Sequence, residues 1–341
     1  MQQLIAGKKL NYSPALDGLR AICILFTIFN HVPNGPSFIN GSVGVDVFFP
    51  LSGFLITYIL LDTPRALMLS YYIRRLFRIA PLYYLAFIVT ALAALAAHYF
   101  HIGESRLDQL KEVWLLSALF SREFVEDGLT LFGQAWTIGI EEKFYILFPL
   151  FLMLVKSAKE ALVILVLGLV ALIVSDAHAF FVRGYGGIVF GVTACLMYRK
   201  FSVSLPTTVS LCLIMFAYWC TFVVSLKYEN LIVSFAASLL IVSLYSRQSW
   251  TRQILSSRLA VYLGKLTYSV YLFHVLIFFA VGQVLGHLNF GHWSFHVLIG
   301  YLVSVVACSA IYKIVERPLI IYGRNMATKV EFELTGEKVK A

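Results

Sequence analysis

The sequence predicts an all-α fold, a polytopic bundle of about ten transmembrane helices. The chain has 341 residues, of which 60% are hydrophobic and 13% are charged, and its mean hydropathy is +0.82. An ordinary soluble domain is about 45–50% apolar and about 25% charged. The surplus of apolar residues exceeds what one water-facing core can use. We therefore expect an integral membrane protein.

Ten apolar windows approach the length of about 20 residues that a membrane-spanning helix needs. In chain order they are 16–32, 43–61, 77–98, 137–155, 160–175, 180–198, 207–226, 230–246, 262–284 and 294–314. The polar stretch 100–135 contains an amphipathic segment, QLKEVWLLSALF, which we expect to lie on a surface. We assign 1–325 to one integral-membrane domain and 326–341 to a polar cytoplasmic tail, and we expect partial disorder after Ile320.

The distribution of basic residues predicts the orientation of these helices. With the N-terminus inside, 21 of the 27 lysines and arginines fall on the cytoplasmic side, where such residues accumulate in membrane proteins. Both termini are therefore expected to be cytoplasmic. The same bias explains the net charge of +9, so we do not predict nucleic-acid binding. The cations left for the opposite side or the membrane are Arg106, Lys111, Arg122, Lys143, Arg183 and Lys227.

The first apolar window, LDGLRAICILFTIFNH, keeps two ionisable residues, Arg20 and His31. Eleven steps of about 100° bring them to within about 20° of one helix face, and the helical rise separates them by roughly 16 Å. An ionisable residue in a span costs about 2.5–3.5 kcal/mol and usually faces a wet cavity or a partner. Considered by itself, Arg20 is typical of an anchor whose long side chain reaches the membrane surface, and His31 is typical of a histidine at the membrane interface. Their position on one helix face instead indicates a channel.

A ligand suited to such a channel is long and thin, with anionic groups at the cytoplasmic end and reactive chemistry at the far end. Acyl-coenzyme A has this shape, with phosphates at one end and a thioester at the other. Arginine binds phosphate through a planar, permanently charged fork. Histidine titrates near neutral pH and can accept a proton from an attacking hydroxyl group.

A second basic cluster lies at the inner end of the third window, in YYIRRLFRIAPLYY. It contains Arg74, Arg75 and Arg78, and the first and last of these are four residues apart and so share a helix face. Positive-inside topology explains any one of them. Three arginines together, before a helix start marked by Pro81, exceed what the orientation of the protein in the membrane requires. We therefore predict that they bind the anionic end of the ligand.

These segments together resemble the membrane acyltransferase 3 family, which moves acyl groups, usually acetyl, onto sugars of surface glycans. The matching segments are LDGLRA with the Arg20–His31 spacing, VGVDVFFPLSGFLIT at 43–57, YYIRRLFRIAPLYYL at 71–85, AWTIGIEEKFYILFP at 135–149, LGKLTYSVYLFH at 263–274 and VERP at 315–318. They run in order from about residue 12 to 320. Pro50 and Asn30 depart from the family pattern without removing a group that we consider catalytic.

The resemblance implies acetyl-coenzyme A, or another acyl-coenzyme A, as donor and a glycan or lipid-linked sugar as acceptor. It also implies a multi-pass protein of the bacterial inner (plasma) membrane, in contact with lipid. In this interpretation Arg20 and the basic cluster bind the donor's phosphates, and His31 is the general base or a transient acyl carrier. The sequence leaves direct transfer and a covalent acyl-histidine equally open.

Four further residues complete the predicted site. Glu141 aligns with the family's acidic position; we place it near the outer end of its span, close in depth to His31, as a second catalytic group, although a carboxylate stabilised by the helix dipole is the simpler explanation. Trp136, Tyr145 and His274 are assigned to substrate binding. Aromatic residues at such positions more often belong to the membrane interface than to a site. A histidine as deep as His274 needs a partner, so a role near the channel and a hydrogen-bonded core histidine are both open.

Other chemistries have weaker support in the sequence. The loop histidines have few carboxylates or cysteines nearby, so we predict no metal site. The five cysteines lie in apolar segments without a paired motif, and the N-terminus lacks a signal-peptide pattern. A proton- or anion-coupled transporter remains the alternative, since intramembrane histidine and arginine suit it. Transporters often show two repeated halves, which we do not find.

Overall fold

The computed structural model describes residues 12–32, 35–36, 38–101, 105–125, 130–202, 205–223, 227–290 and 292–336. Residues 1–11 of the predicted membrane domain and 337–341 of the predicted tail lie outside this part. Within it, every regular element is helical and no β-strand occurs. The all-α prediction is therefore confirmed for the described residues.

Thirteen α-helices form in the described part of the chain, and we number them in order. They are α1 (Pro14–Phe29), α2 (Val43–Asp62), α3 (Met68–Tyr99), α4 (Ser105–Ala118), α5 (Trp136–Leu154), α6 (Ala158–Val174), α7 (Ala179–Phe201), α8 (Thr207–Val223), α9 (Asn230–Ser246), α10 (Trp250–Leu255), α11 (Arg258–His287), α12 (Trp293–Ile311) and α13 (Arg317–Thr335). Each of the ten predicted windows contains one helix, and the predicted surface segment forms α4.

Five helical segments of the described chain are long and apolar enough to cross a membrane. They are Val43–Asp62, Arg65–Tyr99, Ala179–Phe201, Arg258–His287 and Trp293–Thr335. These five are candidate spans by length and composition, and the predicted bundle of ten spans is not confirmed. Helices α1, α6, α8 and α9 have only 16 or 17 residues, fewer than the span length of about 20. Helix α5 has 19 residues but carries three consecutive charged side chains.

Two helices extend beyond their predicted limits. Helix α3 begins nine residues before the expected start at 77 and runs through Pro81. Helix α13 continues to Thr335, so the expected disorder after Ile320 is wrong for 321–335. Its buried residues Gly323, Ala327 and Glu331 recur every four positions, which is the spacing of one helix face. Because α13 packs that face on α3, the polar composition of this segment does not prevent it from folding.

Helix α1 lies at the centre of the fold, packed on α2 and α11, while α2 packs on α7 and α9. Small residues allow these close crossings, as is usual between membrane helices. A Cβ atom at Gly264 of α11 would overlap the carbonyl oxygen of Asp17 in α1, and one at Gly191 of α7 would overlap that of Pro50 in α2. The contact at Gly264 fixes α11 against the half of α1 that carries Arg20.

We predict that α4 faces the outside and α10 the cytoplasm. Lys111 and Ile254 are both exposed on these helices, so a cysteine at either position is open to reagent on its own side. In a Cys212→Ser background, which removes the one exposed cysteine, a membrane-impermeant maleimide should label Lys111→Cys but not Ile254→Cys in intact cells. Labelling of Ile254→Cys alone would reverse the predicted orientation.

Candidate functional site

Two adjoining cavities lie between the central helices. The first, about 460 Å³, is lined by His31 among others, and we call it the histidine cavity. The second, about 120 Å³, is lined by Arg20, Arg75 and Arg78 among others, and we call it the arginine cavity. Val45 and Tyr271 line both cavities and therefore form the wall between them. Each predicted site residue can be placed relative to this pair.

His31 follows the C-terminus of α1 and is exposed to the histidine cavity. Its backbone N–H donates to the carbonyl oxygen of Ile28 at 2.9 Å, which holds the residue close to the helix end. Arg20, within α1, lines the arginine cavity. Helix α1 and the turn that follows it thus contribute one ionisable side chain to each cavity, where the sequence predicted both along a single channel.

The arginine cavity collects basic side chains from three helices. Arg75 and Arg78 of α3 line it, together with Arg20 of α1 and Lys265 of α11. The guanidinium carbon of Arg75 lies 5.7 Å and 5.5 Å from the ring centres of Tyr71 and Tyr145, within the range of cation–π attraction. This arrangement packs the Arg75 fork against two aromatic rings, and its N–H groups can donate to an anion in the cavity.

Arg20 is partly committed to a neighbour on its own helix. Its Nη1 donates to Oδ1 of Asp17 at 2.5 Å, and the other carboxylate oxygen of Asp17 accepts a hydrogen bond from the hydroxyl of Tyr12. The Arg20 side chain is 24% exposed. The guanidinium carries five N–H donors, so this pair leaves donors for an anion while fixing the direction of the side chain.

Glu141 also lines the arginine cavity. Its carboxylate accepts hydrogen bonds from Ser52 Oγ at 2.5 Å and from the Tyr145 hydroxyl at 3.1 Å. The sequence placed Glu141 close in depth to His31, but the two line different cavities. Trp136, at the start of α5, lines the histidine cavity, and five residues of helix carry the chain about 7.5 Å further. At this depth Glu141 and Tyr145 line the arginine cavity.

Arg74 is turned away from both cavities. Its Nη2 donates to Oε1 and Oε2 of Glu331 at 3.0 Å and 3.1 Å, and Ser70 Oγ donates to the same carboxylate at 2.6 Å. Arg74 therefore ties α3 to α13. The residues that share the cavity face are Arg75 and Arg78, three apart, and not the pair four apart that the sequence favoured. Both spacings put side chains on one helix face.

Trp136 and His274 lie on the histidine side of the wall. The Trp136 ring stacks on Phe180, with ring centres 4.3 Å apart and an angle of 14° between the planes, so one face of the indole is already covered. His274 is completely buried and lines neither cavity. Its ring contacts that of His31 at a centre-to-centre distance of 4.7 Å. A buried ring behind His31 differs from the substrate-binding position that we predicted.

A buried ion pair that the sequence analysis missed supports the histidine cavity. Arg183 of α7 lines this cavity, donates from Nε to Asp46 Oδ1 at 2.5 Å and donates from Nη2 to the Ser42 carbonyl oxygen at 2.7 Å. Asp46, in α2, is fully buried. The sequence did contain a signal for this ion pair. Asp46 is the lone carboxylate in the apolar segment VGVDVFF, and such a residue needs a partner within the protein.

Two more arginines line the histidine cavity. Arg106 packs over the ring of Phe279 at 5.5 Å, and Arg122 donates from Nε to the Leu131 carbonyl oxygen at 3.4 Å. Burial lowers the pKa of the Arg122 guanidinium from its ordinary value. With Arg183, three of the six cations that the charge count left away from the cytoplasm meet here. None of the described residues lining this cavity is acidic.

The wall between the cavities is held by hydrogen bonds. The hydroxyl of Tyr271 lies 2.6 Å from Thr137 Oγ1 and donates to the Gln134 carbonyl oxygen at 2.8 Å. Gln134 Nε2 in turn donates to the Leu272 carbonyl oxygen at 2.8 Å. These bonds join α11 to the start of α5. A ligand occupying both cavities at once would pass beside the Tyr271 side chain.

The described residues contain no cluster of three or more histidine, cysteine or acidic side chains that could hold a metal ion. The five cysteines are unpaired thiols, four of them buried. The functional groups that the structure does assemble are therefore imidazole, guanidinium, carboxylate and hydroxyl groups. Such groups bind anions and transfer protons.

Comparison with known proteins places these observations in a family. The family model of acyltransferase 3, described as an acyltransferase domain, matches residues 13–313. A candidate O-acetyltransferase of Staphylococcus aureus strain MSSA476 is 28% identical over 310 residues, covering 78% of this chain and 51% of the relative. The peptidoglycan O-acetyltransferase OatA of Listeria monocytogenes is 33% identical over 175 residues, covering 47% and 28%.

The O-acetyltransferase OatA of Staphylococcus aureus strain NCTC 8325 is 31% identical over 151 residues, covering 41% of this chain and 24% of the relative. The chain thus spans about half the length, or less, of the curated relatives that it matches. No solved structure matches significantly. The family match includes α1 through α12, and with them every residue that lines the two cavities. The chain belongs to the acyltransferase 3 family.

Proposed function

We propose that this protein transfers an acyl group, acetyl in the simplest case, from acyl-coenzyme A to a hydroxyl group of a cell-surface glycan or lipid-linked sugar. The observation that carries the proposal is the pair of cavities that meet at Tyr271. One offers cationic side chains for a phosphorylated donor, and the other offers an accessible histidine for an acceptor hydroxyl. The O-acetyltransferase names of the relatives support a glycan as acceptor.

The donor is assigned to the arginine cavity by its charge. Arg20, Arg75 and Arg78 offer forks that suit phosphate oxygens, and Lys265 adds a further cation. A coenzyme whose phosphates bind here extends its pantetheine arm toward the wall. The thioester then reaches His31 once Tyr271 moves aside.

The chemical step uses His31 as the base. The acceptor hydroxyl gives its proton to the imidazole as its oxygen attacks the thioester carbonyl carbon, and the C–S bond then breaks. The imidazolium returns the proton to the leaving thiolate, so that an ester and free coenzyme A are the products. The alternative order, in which His31 first accepts the acyl group, uses the same residue as nucleophile.

Release of coenzyme A tests the proposal directly. The full chain in lipid nanodiscs is mixed with acetyl-coenzyme A and with cell-envelope glycan from a strain that lacks the protein. We expect coenzyme A and glycan-bound acetate to form in equal amounts. Coenzyme A is quantified by chromatography, because the exposed thiol of Cys212 would add to the signal of a thiol reagent. Formation of neither product above empty nanodiscs, with proton or anion flux in proteoliposomes, would favour the transporter alternative.

A further inference from the structure

The buried histidine behind His31 has one fixed and one unused ring nitrogen. His274 Nδ1 lies 2.7 Å from the backbone carbonyl oxygen of Tyr271. A carbonyl oxygen only accepts, so Nδ1 carries the proton, and in the neutral ring Nε2 is left with a lone pair. Nε2 is buried and has no hydrogen-bond partner among the described residues. A buried acceptor without a partner is rare and calls for an explanation.

The His31 ring is the neighbour that can use this lone pair. The two rings form a T-shaped contact, with centres 4.7 Å apart and planes at 69°. Because Nδ1 is bonded back to the α11 backbone, Nε2 lies on the far side of the ring from that bond. His31 itself is exposed in the cavity, so its ring has room to turn an N–H group toward His274.

We propose that His274 is a positioning residue for His31. Its Nε2 accepts a hydrogen bond from one ring N–H of His31, which directs the other ring nitrogen, unprotonated, toward the acceptor hydroxyl. This inference rests on the proposed function, in which His31 is the base. It is the arrangement by which a second group sets the tautomer and orientation of a catalytic imidazole.

The bond to His274 strengthens as the reaction proceeds. When His31 takes the acceptor proton it becomes a cation with a proton on each nitrogen. One of these protons stays directed at His274 Nε2, and the other later passes to the leaving thiolate, so that both histidines return to their starting forms. Hydrogen bonds from charged donors are stronger than those from neutral ones. His274 therefore stabilises the imidazolium without itself gaining or losing a proton.

The other titratable and charged groups around His31 do not supply this bond. Arg106, Arg122 and Arg183 line the same cavity, but guanidinium groups only donate. The Tyr271 hydroxyl is engaged with Thr137 and Gln134. Asp46 lies behind Arg183 and accepts from it. Among the titratable and charged groups around His31, His274 Nε2 is thus the acceptor left for a His31 N–H.

Two substitutions test the roles of the two ring nitrogens of His274 separately. In His274→Asn the side-chain amide can replace Nδ1 and keep the bond to the Tyr271 carbonyl, but nothing replaces Nε2. In His274→Gln the amide reaches the position of Nε2 and offers an acceptor there. A loss of alignment at a reacting group can cost about 100-fold in rate. We expect kcat to fall about 10- to 100-fold in His274→Asn and about threefold or less in His274→Gln, with KM for acetyl-coenzyme A unchanged in both.

The pH profile distinguishes positioning from simple packing. Without the bond that stabilises the imidazolium, the acid limb of the kcat/KM profile should move to lower pH in His274→Asn and stay in place in His274→Gln. His274→Phe, which fills the same space without nitrogen, replaces His274→Asn if the latter does not accumulate. Equal activity and equal profiles in the variants with and without the acceptor would overturn the inference.

Parallel measurement of His31→Gln separates this inference from the proposed function. If His31→Gln abolishes transfer while His274→Asn retains the normal rate and pH profile, His31 stays the base and only the role of His274 fails. If His31→Gln transfers normally, both fail. All variants are measured in nanodiscs with acetyl-coenzyme A and the same envelope glycan.

Discussion

Replacing His31 with glutamine is expected to lower acyl transfer by about 100- to 10,000-fold, the range that general acid–base catalysis contributes. Glutamine has a similar size and can still form hydrogen bonds in the histidine cavity, but it has no basic nitrogen. Since His31 is exposed to that cavity, the substitution should leave packing intact. Initial rates of ester formation in nanodiscs, at matched amounts of folded protein, measure the effect.

His287→Gln is the matched control for this substitution. His287 is exposed at the C-terminus of α11 and lines neither cavity, so we expect an unchanged rate. Incubation without acceptor separates the two mechanisms. A covalent acyl-histidine releases one equivalent of coenzyme A from the wild type and none from His31→Gln, whereas direct transfer releases none from either. Normal transfer by His31→Gln would contradict the central role of this residue.

The second large effect is expected for Arg75→Gln, as an increase in KM for acetyl-coenzyme A of about 10- to 100-fold. A hydrogen bond to a charged group contributes about 1.5–3 kcal/mol, and each 1.4 kcal/mol is a factor of ten in affinity. Arg75 lines the arginine cavity, and Tyr71 and Tyr145 hold its fork. The concentration dependence of coenzyme A release gives KM, and kcat should change less.

Arg74→Gln is the control that the fold provides for Arg75→Gln. The two arginines are adjacent in sequence, but Arg74 pairs with Glu331 outside the cavities. Its loss should loosen α13 from α3 and lower the unfolding temperature while KM stays normal. An equal rise in KM for both variants would mean that the cluster acts through its overall charge and that no particular arginine binds the donor.

Much of the fold was predictable because apolar runs and basic clusters are local properties of the sequence. Each of the ten predicted windows contains an α-helix. The lengths of these helices were less predictable. Helix α3 continues through Pro81 and α13 extends into the polar tail because both gain packing from each other, a contribution that neither segment shows by itself.

The candidate site was predictable in its residue types and less so in its arrangement. Arg20 and His31 were identified from their spacing, and the structure assigns them to two cavities. Arg75 and not Arg74 faces the arginine cavity, because the direction in which α3 packs on α13 selects the face. Glu141 lies with the arginines because of its depth along α5. Helical periodicity states which residues share a face, but it does not state what that face meets.

By itself, the sequence determined the helical class, the ten helical segments, the family, and the ionisable residues that an apolar chain retains. Those properties follow from composition and short-range spacing. Only the tertiary structure decided that Tyr271 separates two cavities, that Arg183 pairs with Asp46, and that His274 lies behind His31. Each of these contacts joins residues more than 130 positions apart, and contacts over such separations depend on how the helices pack, which no local pattern records.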